Sequence, residues 1–339
     1  MPQAYLRHWC NDNGSIAVSD ERQVLPSCGT KNFAVQIDFY AFVDLSANEL
    51  AFLFRTITEI ITDENPIVNA VVVPIFLNVL YFRCKKHDWS EKYGAVFDRF
   101  FPWMKRQKHI NSYRFLRQIA EDNAELGPEH IEIIENETIS GFEGLMTEIE
   151  NAAWPVINEL LANGASCLKE RNNLSYLLLY LVNQCFRGPD YLRHIELMFP
   201  ERAHEIGETP KLAKYLRYIL PSYVRNQLMQ TQDERKVHVI ENKTDLEFVT
   251  GDVPCVIYGE KCKPQTPMIT FFPMSPKKAL LFGYRSAVNA YIQRYGWELK
   301  DCEQVDWFNR EIVASSQRFV FASNATILEK NNYHVNANS

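Results

Sequence analysis

Asp252 stands in the run FVTGDVPCVIY, between one β-branched and aromatic segment ending at Thr250 and another beginning near Pro254. A carboxylate at a strand end is held by the sheet yet stays reachable, which suits general acid–base work or stabilisation of a cationic centre. Beside glycine, Asp is also a turn former whose carboxylate bonds its own backbone. Gln184 and Arg187 continue the stripe Leu174, Leu177, Leu178 and Leu181, so an amide and a guanidinium occupy leucine-like positions just before Gly188 and Pro189. Such a pair can bind an anion or a base edge; it can equally tie down the Gly-Pro turn. Asn309 falls within the set Val305, Phe308, Ile312 and Val313, which buries it and obliges its amide to find partners, in a neighbouring loop or a substrate. Near the N-terminus, PQAYLR puts Gln3, Tyr5 and Arg7 at alternate positions, on one face of an extended segment.

Other chemistries are absent from the pattern. The eight cysteines, Cys10, Cys28, Cys84, Cys167, Cys185, Cys255, Cys262 and Cys302, show no CxxC and no histidine at zinc-finger spacing, so reduced thiols and no structural metal are expected. No phosphate loop, GxGxxG, HExxH, GxSxG or EF-hand loop occurs, and no cofactor is expected.

Charge is segregated. The net value is −6, yet Arg99, Lys105, Arg106, Lys108, Arg114 and Arg117 form an acid-free stretch interleaved with Phe100, Phe101, Trp103, Tyr113 and Phe115. From Glu121 to Glu150 there are acids and no Lys or Arg. A second basic run follows at Lys211, Lys214, Arg217 and Arg225, with Tyr215, Tyr218 and Tyr223 among them. Cations beside aromatic rings are what a nucleic-acid backbone and its bases require.

These residues must be positioned by a chain of 339 residues with 46% hydrophobic, 23% charged and 13% aromatic content, ordinary globular usage able to build a sizeable core. The pattern predicts an α+β protein, a helix-rich lobe packed on a small antiparallel β-sheet formed by C-terminal and N-terminal segments. Residues 1–45 are expected to be extended and to pack on that sheet, with a strand at GSIAV. Residues 46–232 read as the helical lobe, from apolar spacing in Leu50–Ile61, Val68–Phe82, Phe142–Leu161, Leu174–Cys185 and Leu212–Leu228, with a helix stop at Asn163-Gly164. Residues 233–325 read as strands VHVI, LEFVT, PCVIY, MITFF and ALLFG, then closing helices near Ser286–Tyr295 and Gln304–Phe321. Residues 326–339 form a tail, disordered from Asn331. Asn65–Phe82 is uncharged but interrupted by Pro66, Asn69, Pro74 and Asn78, and reads as a buried helix rather than a membrane span. No leader segment precedes the first motif, so a cytoplasmic protein without membrane association is expected.

PQAYLR, QCFRGPDYLR, VTGDVP, FPMSPKKALLFG and VDWFNREI with RFVFAS, in this order, resemble a widespread microbial family of uncharacterised proteins. Members of that family carry a His-Tyr-Val-Pro-Gln-x-Tyr-Leu-Arg opening, a Gln-x-x-Arg-Thr-Pro-x-x-Arg helix end, a Ser-Asp-x-Pro turn and Pro-Leu-Ser-Pro. Here the leading His and Tyr are missing, Gly188 replaces the Thr and Gly251 replaces the Ser. The resemblance implies candidate positions Gln3, Tyr5, Arg7, Gln184, Arg187, Asp252 and Asn309 without a reaction.

The residues themselves point to an enzyme acting on nucleic acid, most concretely a DNA N-glycosylase, a hydrolase excising a modified base in antiviral defence. Asp252 would stabilise an oxocarbenium-like centre or activate water, while Gln184, Arg187, Arg7 and Asn309 hold the base and backbone. Lys105, Arg106, Lys108, Arg114, Lys214 and Arg217 would contact DNA phosphates. A non-catalytic sensor or partner-binding module, and a small-nucleotide hydrolase or transferase, are the alternatives.

Overall fold

A computed structural model describes residues 3–30, 128–186, 220–221, 224–258 and 269–335. The chain forms two compact units, Met1–Ile37 with Glu150–Ala203 and Gln227–Ser339, and Asp38–Ile149 with His204–Asn226. What is described of the second unit is helical. There Arg225 is buried, and its guanidinium donates to Asn226 Oδ1 at 2.8 Å.

The first unit is α+β. Its helices are α1 (Gln3–Leu6), continued by a 3₁₀ turn (Arg7–Trp9), the end of α2 (Pro128–Asn163), α3 (Arg171–Phe186), α4 (Arg285–Tyr295), α5 (Cys302–Ser315) and α6 (Ala325–Lys330). Its strands are β1 (Ile16–Ser19), β2 (Val24–Cys28), β3 (Arg235–Asn242), β4 (Thr250–Gly251), β5 (Val256–Tyr258), β6 (Ile269–Ser275), β7 (Lys278–Tyr284), β8 (Glu298–Leu299) and β9 (Val320–Ala322). They make two sheets where one was expected. A four-stranded antiparallel sheet in the order β2-β1-β9-β4 joins N-terminal to C-terminal segments. A five-stranded sheet in the order β5-β6-β7-β3-β8 is antiparallel except for the β3/β8 pair.

The alternation of β6 covers both faces of the larger sheet, because successive side chains point oppositely. Phe271 stacks on Phe308 of α5 with ring centroids 4.1 Å apart, and Phe248 closes the trio at 5.5 Å from Phe271. On the other face Phe272 stacks on Tyr5 of α1 at 5.2 Å and meets the edge of Tyr180 of α3 at 5.9 Å. The β3 and β7 neighbours obey the same division. Lys236 Nζ reaches Asn289 of α4 at 2.8 Å, whereas Lys278 Nζ caps the end of α2 through the Leu161 carbonyl at 2.5 Å. From Leu177 to Phe186, α3 is buried all round, as a helix clothed by its neighbours should be.

Several local expectations change. From Gln3 the N-terminal motif is helical rather than extended, because Tyr5, Leu6 and Trp9 bury together at helical spacing while Arg7 faces solvent. LEFVT yields only the two-residue β4, since side chains, not strand neighbours, take much of the preceding polar backbone: Asn242 serves Thr244 and Leu246, and Asn309 serves Glu247 and Val249. The last long helix stops at Ser315 rather than running to Phe321. Beyond it Val320–Ala322 is a fully buried strand between β1 and β4, where β-branched and aromatic side chains fit on both faces. Residues 331–335, expected to be disordered, instead fold onto the unit, with Tyr333 and Val335 buried. The helix stop at Asn163 coincides with Gly164 at φ 71°, the left-handed conformation that favours glycine. Among the described residues no helix is long and apolar enough to cross a membrane; Asn65–Phe82 lies outside them.

Candidate functional site

The segment from Glu247 to Asp252 is the junction at which distant parts of the first unit meet. Asn309, presented by the buried face of α5, accepts from Val249 N at 2.9 Å and donates to the Glu247 carbonyl at 2.9 Å and to Tyr333 Oη at 3.3 Å. The amide thus acts as a strand mimic, satisfying backbone groups that water cannot reach. Tyr333 donates in turn to Asp306 Oδ1 at 2.6 Å, and the Ser323 hydroxyl donates to the Glu247 carboxylate.

Asp252 closes the segment. Its carboxylate does not bond its own turn; Oδ1 accepts from Gln317 N at 2.9 Å and Oδ2 from Arg318 N at 3.0 Å, while its backbone N–H donates to the Phe319 carbonyl at 3.1 Å. Two successive amides just past α5 cradle the acid, and each oxygen keeps lone-pair capacity on a side chain that is not fully buried. Burial pushes its pKa up, and the two amide donors only partly offset that. An oriented carboxylate that binds protons more readily than usual can donate or accept a proton, or stabilise an adjacent cation.

Behind Asp252 lies a polar cluster inside the core. Tyr5 Oη donates to the Pro273 carbonyl at 2.5 Å and lies 2.7 Å from Thr250 Oγ1. Since the phenol has one proton, the Thr250 hydroxyl donates to it. Burial holds the Tyr5 pKa well above its ordinary value, so the phenol stays neutral. Cys255 is buried too, and that burial raises its thiol pKa well above the ordinary value. Tyr180 lies on α3 one helical turn before Gln184, and both are buried.

The family described as "Protein of unknown function (DUF4238)" matches residues 1–326. The chain belongs to this family. No curated protein and no solved structure matches it.

In this DUF4238 chain the predicted positions divide. Tyr5, Asp252 and Asn309 are all joined to the 247–252 segment or its direct bonding partners. Gln184 adjoins Cys185 in the buried end of α3, and Arg7 is exposed after α1. The Gln3 side chain, Arg187, Lys105, Arg106, Lys108, Arg114, Lys214 and Arg217 lie outside the described residues. No group of three or more His, Cys, Asp or Glu side chains is placed to hold a metal among the described residues.

Several participants went unnoticed in the sequence. Thr250 sits inside VTGDVP, two residues from Asp252, and a buried threonine at a strand end was the signal available. Ser316 has none, although its hydroxyl fills the space beside Gly251: a Cβ at 251 would lie 1.8 Å from Ser316 Oγ and 3.1 Å from its Cβ. Tyr333 was concealed by the polar composition around it.

Proposed function

We propose that the chain is a cytoplasmic enzyme acting on nucleic acid, in its most concrete form a DNA N-glycosylase that excises a modified base in antiviral defence. The observation that carries this reading is Asp252, a carboxylate oriented by Gln317 N and Arg318 N, incompletely buried, and shifted by burial toward the protonated form. Base excision needs little more than a fixed carboxylate beside the breaking N-glycosidic bond, which develops cationic character at the sugar. Arg7, exposed after α1, suits contact with the DNA backbone. Gln184 and Asn309 serve by position, the first from the buried end of α3 and the second by holding Glu247 and Val249. The aromatic and basic runs around Lys105 and Lys214 supply the phosphate and base contacts.

A second reading is favoured by the same bonds. Both Asp252 oxygens already serve backbone amides and the Asn309 amide is committed to the fold, which is what a sensor or partner-binding module without catalysis would show.

The deciding assay incubates the full chain and Asp252→Asn with genomic DNA from phages carrying ordinary and modified bases. Abasic sites are read as alkali-labile breaks and the released base by mass spectrometry. Release by wild type and none by a variant still folded at the assay temperature is the expected result. No release from any substrate would falsify the glycosylase reading and leave the binding module. Equal release by the variant would keep the chemistry but remove Asp252 from it.

A further inference from the structure

We propose that Arg318 binds a phosphate of the substrate beside Asp252, so that the acid meets a nucleotide unit held by the turn between α5 and β9. Arg318 and Phe319 open the run RFVFAS, one of the stretches that carry the family resemblance. The N–H groups of Gln317 and Arg318 hold the two Asp252 oxygens at 2.9 and 3.0 Å. The Arg318 side chain does not follow its own N–H to the carboxylate. Its guanidinium lies over the Phe319 ring, 5.1 Å from the centroid. That ring meets the ring of Phe321, fully buried in β9, with centroids 6.1 Å apart, which anchors it to the sheet. Arg318 itself is exposed, and among the described residues it forms no ion pair.

One turn thus carries a cation and an acid that do not neutralise each other. A guanidinium kept only to stabilise the turn would rest on the Asp252 carboxylate, where a bidentate bond is the stronger arrangement. Held over a ring instead, it keeps its N–H donors for an outside anion, and a side chain already placed loses less freedom on binding than a free one. Phosphate suits that fork, because its oxygens accept two parallel N–H bonds. In a nucleotide the phosphate and the bond from sugar to base belong to one sugar, so an anion on Arg318 brings that bond to the turn that holds Asp252. Arg294 gives the comparison. It too is exposed and lies 5.1 Å over a ring, that of Tyr295, but its helix α4 contains no carboxylate. The assignment rests on the nucleic-acid reading for the identity of the ligand, and it does not require turnover.

The test therefore reads binding. Full-length wild type, Arg318→Ala, Arg318→Lys and Arg294→Ala are titrated with a fluorescein-labelled single-stranded oligothymidylate by anisotropy, and with thymidine monophosphate by calorimetry. Arg318→Ala should bind the tighter of the two ligands about tenfold more weakly. Arg318→Lys, which keeps the charge but not the fork, should recover part of that loss, and Arg294→Ala should bind as wild type does. Melting temperatures should match wild type, because every variant keeps the N–H of residue 318 that holds Asp252. Tighter binding of the oligothymidylate identifies a strand as the source of the phosphate, and tighter binding of the monophosphate a free nucleotide. The proposal is overturned if neither ligand binds wild type, if Arg318→Ala binds as tightly as wild type, or if Arg294→Ala loses as much. Weaker binding that comes with a lowered melting temperature in Arg318→Ala also overturns it, by making the residue structural. Arg318-dependent binding without base release from any phage DNA would remove the glycosylase chemistry and keep this site.

Discussion

The Asp252 side chain makes two bonds of one kind, each oxygen accepting from a backbone N–H. An asparagine has one acceptor and one donor at these positions, so Asp252→Asn keeps one bond and sets N–H against N–H at the other, costing about 1–2 kcal/mol near neutral pH. The pH dependence separates burial from bonding. Burial raises the carboxyl pKa in the folded protein, so its contribution to stability is fully present below the ordinary carboxylate range and is lost as pH rises through the raised value. Melting wild type and variant from acidic to neutral pH should show the wild type gaining on the variant as pH falls. A gap that grows toward neutral pH instead would mean that the Gln317 and Arg318 amides, rather than burial, govern the proton affinity.

Between elements, the tightest fit is β4 against the turn after α5. Gly251 has no room for a side chain because Ser316 fills it, and the Ser316 hydroxyl is itself bonded to the Ile312 carbonyl at 2.8 Å. Gly251→Ser must swing Ser316 out of a buried site or move the strand, costing about 1–3 kcal/mol. Ser316→Gly in the same chain removes the obstruction and should restore most of that loss, so a double-mutant cycle in urea would show strong favourable coupling. Additive effects would mean that the two elements do not abut. Phe271, facing α5, and Phe272, facing α1 and α3, were legible as strand residues from the short β-branched and aromatic run MITFF. Their partners were not, because period-two spacing specifies that two faces differ without saying which helix covers each.

At the scale of the molecule, the C-terminal turn holds the chain's two ends together. Ser19 Oγ of β1 lies 2.7 Å from His334 Nδ1, Tyr333 bonds Asp306 and Asn309, and Val335 is buried. Deleting Asn331–Ser339 exposes what Tyr333 and Val335 cover, at about 1.5–3 kcal/mol for each side chain. The urea midpoint should fall clearly; an unchanged midpoint would show that this turn adds nothing to the fold. The nucleic-acid reading makes its own whole-molecule prediction. Reversing Lys105, Arg106, Lys108, Lys214 and Arg217 to Glu should weaken DNA binding uniformly across sequences and flatten its salt dependence by about 0.9 in log–log slope for each phosphate no longer neutralised. Binding that is absent at low salt, or indifferent to all five reversals, removes that reading. What the sequence determined by itself was local: the helix α3, the burial of Asn309, the stop at Gly164 and the short β-branched runs, all matters of spacing along one segment. Tertiary structure decided that 320–322 is a strand, that the tail is anchored, and that Asp252 serves Gln317 and Arg318. Each of those depends on which distant backbone groups are left unpaired and within reach, and periodicity carries no record of that.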